Sequence, residues 1–135
     1  MIQSPDGRHE AELRYVGEIR FGPPYHSLCV DGISMGGRVF GDAVLWSPDS
    51  RYLAVQEWLT TDEAEGPITT LCVVDVVERR TCRLSRADGG FVEPQSFEGG
   101  AITYVASYMG DFEVREFEMD LEQVRSWRPL EGADV

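Results

Sequence analysis

The chain contains no lysine and no asparagine, so all twelve of its basic side chains are arginine. That bias suggests the codon usage of a GC-rich genome, so a bacterial source is expected, and it carries no mechanism. Histidine is limited to His9 and His26, too few for a zinc site, which takes three or four imidazole or thiolate ligands. Cysteine is limited to Cys29, Cys72 and Cys82, an odd number without a C-x-x-C pair, so neither a disulfide framework nor a metal knuckle is announced. Cys72 and Cys82 are spaced to face each other across a hairpin, where small buried thiols are the expected state and a bridge the alternative. No run approaches the roughly 18 consecutive apolar residues of a membrane span. The opening MIQSPDGRHE has neither the charged nor the apolar region of a secretion signal, so a cytoplasmic location is expected.

What the chain has in excess is carboxylate. Twenty-four acidic residues against 12 basic ones give a net charge of −12 and an isoelectric point near 4.4. Such a field repels nucleic acid and anionic lipid and accelerates encounter with a cationic protein. Charge also serves solubility alone, so composition narrows the class of partner without proving that one exists. The 135 residues suffice for one domain, 1–135, with its own hydrophobic core, and the 14 glycines are spread along the chain without forming a linker.

The patterning is that of strands. Ala11, Leu13 and Tyr15 alternate with Glu10, Glu12 and Arg14, the period-two signature of a half-buried strand. Gly22-Pro23-Pro24 interrupts any ladder and predicts a loop to about His26. Ser47-Pro48-Asp49-Ser50 predicts a turn into the β-rich run Tyr52 to Trp58. Thr60 to Pro67 reads as a solvated loop, and Ile68 to Val77, the most apolar segment, as a central strand. Asp88-Gly89-Gly90 and Glu98-Gly99-Gly100 bracket another strand. Ala101 to Tyr108 pairs through Met109-Gly110-Asp111 with Phe112 to Met119, where the apolar phase slips and predicts a bulge near Arg115-Glu116. Leu121, Val124 and Trp127, three apart, predict one short C-terminal helix stopped by Pro129. The expected fold is all-β, with antiparallel sheets packed sandwich-like or as blade-like hairpins, and that helix. Its expected core is Leu13, Tyr15, Val44, Trp46, Leu53, Val55, Leu71, Val73, Ile102, Tyr104, Phe112 and Phe117.

Catalytic motifs do not survive their context. Gly32-Ile33-Ser34-Met35-Gly36 matches the G-x-S-x-G nucleophile elbow, yet no helix-forming segment follows and both histidines precede Ser34, against the chain order of that fold. Carboxylate neighbours such as Asp62 with Glu63, or Glu116 with Glu118, are expected by chance among 24 acids. The double glycines lead into strands rather than into the helix a phosphate cradle needs. No catalytic residue, metal or cofactor is expected.

Ser4-Pro5-Asp6-Gly7-Arg8 and Trp46-Ser47-Pro48-Asp49-Ser50-Arg51-Tyr52-Leu53-Ala54-Val55 resemble the turn signature between inner strands of TolB-like and WD-repeat β-propellers. Leu71-Cys72-Val73-Val74-Asp75-Val76 is similar to the strand that follows in such blades. The resemblance covers about half the chain. It implies blade-like hairpins in a sheet too short to close as a propeller, and a tendency to bind proteins.

The function expected is a non-catalytic protein-binding module, specifically an acidic inhibitory partner such as the immunity protein of a bacterial toxin pair. Its contact surface is expected around Trp58, Asp62, Glu63 and Glu65, or on the strand bearing Glu113, Glu116 and Glu118. Two alternatives stand beside it. One is a propeller-like scaffold that completes its sheet by homo-oligomerising or pairing with a larger protein; the other is an enzyme using scattered carboxylates.

Overall fold

The computed structural model describes residues 1–19, 22–110 and 113–130. The described strands are β1 (Ile2–Gln3), β2 (Glu10–Glu18), β3 (Pro24–Val30), β4 (Ile33–Ser34), β5 (Val39–Trp46), β6 (Tyr52–Trp58), β7 (Ile68–Asp75), β8 (Arg80–Asp88), β9 (Gly90–Glu98), β10 (Ala101–Tyr108), β11 (Val114–Asp120) and β12 (Arg128–Pro129). They form two antiparallel sheets. The larger runs β1-β2-β3-β5-β6-β7-β8-β12 with β4 beside β3, and the smaller runs β11-β10-β9. Among the described residues no helix is long and apolar enough to cross a membrane.

Strands β6 and β7 carry core on both faces. Tyr52, Ala54, Leu71 and Val73 face the smaller sheet and pack with Val92, Ile102, Tyr104 and Ala106. Leu53, Val55, Cys72 and Val74 point the other way, into a second cluster with Ala11, Leu28, Val30, Met35 and Phe40. The larger sheet therefore curls until its N-terminal strands cover the back of its own middle. A strand covered on both sides needs no polar face, which is why Tyr52–Val55 of β6 and Leu71–Val74 of β7 read as continuous apolar runs. Cys72 and Cys82 follow from the same geometry. Cys82 pairs with Val73 and shares its face, whereas Cys72 points to the opposite cluster, and both are free thiols.

Two Ser-Pro-Asp turns close β1 onto β2 and β5 onto β6 with one hydrogen-bond pattern. The serine N–H donates to the carbonyl five residues on, Ser4 to His9 at 2.9 Å and Ser47 to Tyr52 at 2.8 Å. The serine hydroxyl accepts the N–H of that same residue and donates to the aspartate, at 2.7 Å for Ser4–Asp6 and 2.5 Å for Ser47–Asp49. The fourth residue takes positive φ, 71° at Gly7 and 64° at Ser50. The turns also touch: the Asp6 N–H donates to Ser50 Oγ at 2.9 Å, and Trp46 Nε1 to the Ile2 carbonyl at 3.2 Å.

Several expectations are corrected. The C-terminal helix is absent: Leu121–Gln123 makes one 3-10 turn and Val124 is extended, at φ −70° and ψ 131°. The apolar spacing instead lays Val124 and Trp127 against the core, where Trp127 stacks on Tyr52. No bulge interrupts β10–β11, whose register is unbroken from Ala101↔Asp120 to Ser107↔Val114. The register shifts lie in the β2–β3, β5–β6, β7–β8 and β9–β10 pairs. Strand β3 begins at Pro24, two residues before the loop was expected to end; a proline at a strand start has no ladder donor to lose. Tyr15 is 64 % exposed, because the shift between Tyr15 and Gly17 ends the covered stretch of β2. Leu13, Val44, Trp46 and Phe117 are half-buried against the core, and Phe112 lies outside the described residues.

Leu53→Ala should destabilise by about 2–5 kcal/mol, whereas Tyr15→Ala should fall within about 0.5 kcal/mol of the parent, as read from urea unfolding midpoints.

Candidate functional site

Two buried carboxylates organise the arginines. Glu57, on β6, is 1 % exposed and is held by two guanidinium forks. Arg38 donates to it at 2.8 and 2.6 Å, and Arg83, on β8, at 3.0 and 2.7 Å. The Arg38 guanidinium also lies 5.7 Å from the Phe40 ring centroid and 3.5 Å from Cys72 Sγ. Asp75, at the end of β7, accepts from Arg51 at 3.2 and 3.1 Å, from Arg80 at 3.0 Å, and from the N–H groups of Val77 and Glu78. Burial pushes both carboxyls toward the neutral form, and the arginine hydrogen bonds outweigh it, so both lie below their ordinary range. A carboxylate whose acceptor positions are filled by forks is an anchor for strands rather than a proton acceptor.

The thiols of Cys72 and Cys82 are equally withdrawn. Burial pushes Cys72 up to about 11 and Cys82 up to about 12, so neither is a thiolate at neutral pH. Among the described residues no three histidine, cysteine, aspartate or glutamate side chains gather as metal ligands.

One concave feature of the described surface is a cleft of about 410 Å³. Trp58 and Phe91 form its aromatic floor, edge to face at 5.6 Å between centroids. Trp58 Nε1 donates to Gln56 Oε1 at 3.1 Å, and Gln56 Nε2 donates to the Val92 carbonyl at 3.1 Å, tying the indole to the smaller sheet. Gly41 leaves room for this arrangement: a Cβ there would collide with Gln56 Oε1 and lie 3.1 Å from Trp58 Nε1. One rim is Thr60, Asp62, Glu63, Gly66 and Pro67, and the other is Ile19, Gly22 and Pro23, with Met109 projecting at 69 % exposure. Asp62 fixes its own loop by accepting the Ala64 N–H at 2.9 Å.

From the cleft a second surface continues along the outer face of the smaller sheet. Phe91 aligns with Ser107 and, on the next strand, with the exposed Val114. The following rows are Glu93–Val105–Glu116, Ser96–Thr103–Glu118 and Glu98–Ala101–Asp120. An apolar end thus grades into a carboxylate-bearing sheet face.

The expected contact residues fall into this frame unevenly. Asp62 and Glu63 stand on the rim, and Glu116 and Glu118 on the sheet face. Glu65 is exposed on the loop and bonded to Thr60 Oγ1, outside the cleft lining. Glu113 precedes β11 and lies outside its ladder. Trp58 is 4 % exposed, a buried floor rather than an exposed contact. Sequence reasoning missed Phe91, Met109, Val114, Glu93 and Glu98. The Phe91-x-Glu93 alternation was the available signal, obscured by Gly90 and Pro94.

Glu57→Gln should cost about 3–5 kcal/mol, because the buried Arg38 fork loses its counter-charge and the half-exposed Arg83 loses the same partner. Both carboxyls are held below their unfolded values, so their stabilisation is present above the ordinary carboxylate range of about pH 4 and is lost as pH falls through the folded values. Urea unfolding between pH 7 and pH 3 should show that decline, less steep in the Glu57→Gln variant. Gly41→Ala should destabilise by about 1–3 kcal/mol through overpacking and shift the Trp58 fluorescence in a Trp46→Phe, Trp127→Phe background.

Comparison of the chain with models of protein families, with curated proteins and with solved structures finds no match.

Proposed function

We propose that this chain is a non-catalytic protein-binding module, an acidic inhibitory partner of a basic protein in the manner of a bacterial toxin's immunity protein, acting in the cytoplasm. The observation that carries the reading is the sorting of charge. Arg38, Arg51, Arg80 and Arg83 are engaged by Glu57 and Asp75. Asp62, Glu93, Glu98, Glu116 and Glu118 make no ion pair among the described residues. Asp62 stands on the rim of the apolar cleft, and the other four flank the middle strand of the adjoining sheet face, so apolar and carboxylate surface meet as they do in an interface. Removing substrate access from a basic active-site cleft needs no chemistry of its own.

A second reading, a propeller-like scaffold of blade-like hairpins, draws support from the twin Ser-Pro-Asp turns, which share one bonding pattern and touch. Mass at equilibrium separates the two: a monomer at all concentrations favours the inhibitory partner, and a stable oligomer favours the scaffold.

The direct experiment is capture on the immobilised chain from lysate of its source cell at low salt, with elution by a salt gradient. One stoichiometric basic protein is expected, lost from an Asp62→Arg, Glu116→Arg, Glu118→Arg variant. Association of the purified pair should slow in that variant, with the loss largest at low ionic strength. Equal capture by parent and variant would overturn the assignment of this surface.

A further inference from the structure

The ends of the two sheets differ in what they leave open. The larger sheet begins with β1 and finishes with β12, two residues each. Strand β12 covers β8 only at Arg80 and Thr81, and the rest of that edge carries a positive φ of 60° at Ser85, where the β7–β8 register shifts, a bulge of the kind that blunts an edge. The edge of β9 away from β10 is occupied by side chains at its start: Thr69 Oγ1 donates to the Gly90 carbonyl and accepts the Val92 N–H, and Gln56 Nε2 donates to the Val92 carbonyl, while the register shift between Thr103 and Tyr104 breaks the rest. Strand β11 has none of these protections. It is seven residues long, in unbroken register with β10, and paired with nothing else among the described residues. About half of its backbone donors and acceptors therefore point away from the sheet.

The side chains on that edge state what fits it. Val114, Glu116, Glu118 and Asp120 share the outer face, while Phe117 and Met119 lie on the inner face, half-buried against the core beneath. A second copy pairing through the same strand would set carboxylate against carboxylate, an unfavourable cross-strand arrangement. An incoming strand with cations at every second position would meet opposite charge on the outer face and cover Phe117 and Met119 with its alternate apolar residues.

Building on the protein-binding reading, we propose that β11 accepts an extended segment of the partner as a fourth strand of the smaller sheet, with arginine or lysine at alternate positions over Glu116 and Glu118. Main-chain bonds supply the attachment and the carboxylates select the sequence. The charges on this edge thus exclude the chain's own copies and admit a basic strand.

The test uses the full chain and a synthetic peptide, acetyl-Val-Arg-Val-Arg-Val-Arg-Val-amide, followed by hydrogen exchange and titration calorimetry. Binding should slow exchange at the β11 amides. Methylating the peptide nitrogens on the bonding edge removes its donors without altering its charge, and should weaken binding by about 100-fold or more. Glu116→Arg with Glu118→Arg, both exposed and so without effect on the fold, should weaken binding about tenfold or more. Affinity unchanged by methylation, or protection confined to the Trp58–Phe91 cleft, would overturn the strand-addition mode, as would concentration-dependent pairing of β11 with itself. Failure of the peptide alongside capture of a basic protein by the same surface would remove this mode and leave the module reading intact. Loss of both would remove the module reading as well.

Discussion

Glu57 sets the condition that the rest of the molecule meets. A carboxylate withdrawn from water at the middle of a sheet is sustainable only if cations come with it and every acceptor position is filled. Here Arg38 arrives from just before β5 and Arg83 from β8, so one side chain on β6 fixes the relation among three separate parts of the chain. Asp75 repeats the device at the end of β7, taking Arg51 from the β5–β6 turn and Arg80 from the start of β8. Arrangements of this kind add little net stability compared with well-packed apolar residues; their consequence is that alternative registers strand a buried charge.

That constraint sits at the junction of two apolar clusters. Because β6 and β7 are covered on both sides, the smaller sheet can use one face for packing and leave the other entirely to solvent. The cleft arises where this layering ends: Trp58 is the last residue of β6, Phe91 lies near the start of β9, and the loop from Thr60 to Pro67 joins β6 to β7 beside them. The position of the site is thus a by-product of strand lengths, and its character is set by what the loop and the outer face carry.

Local chemistry was legible in the sequence and long-range pairing was not. The Ser-Pro-Asp turns declared themselves because each is closed by its own serine and aspartate. Likewise the apolar runs of β6 and β7 announced central strands. The spacing of Leu121, Val124 and Trp127 misled because positions three apart serve equally to lay an extended segment against a core. At Tyr15 the alternation named a face correctly but could not show that the cover ends there. As for the site, the acidic loop was visible as a run of carboxylates. The arginines that hold Glu57 lie 19 and 26 positions away and carry no spacing signal. Phe91 was hidden because its neighbour across the cleft, Trp58, comes from the other sheet.

The sorting of charge between layers has a consequence beyond contact. Residues 89–124 carry eight carboxylates and one arginine, whereas 79–86 hold four arginines and no acid. Arg38 and Arg83 meet Glu57 on the side of the larger sheet turned away from the smaller one, whose carboxylates face outward. The excess of negative charge is therefore densest on the smaller sheet, since residues 1–88 carry 14 acids against 9 arginines. A cationic body approaching to within about a Debye length, roughly 8–10 Å at physiological salt, exerts a torque that turns the smaller sheet toward it. Part of the orientational search is completed before the surfaces meet.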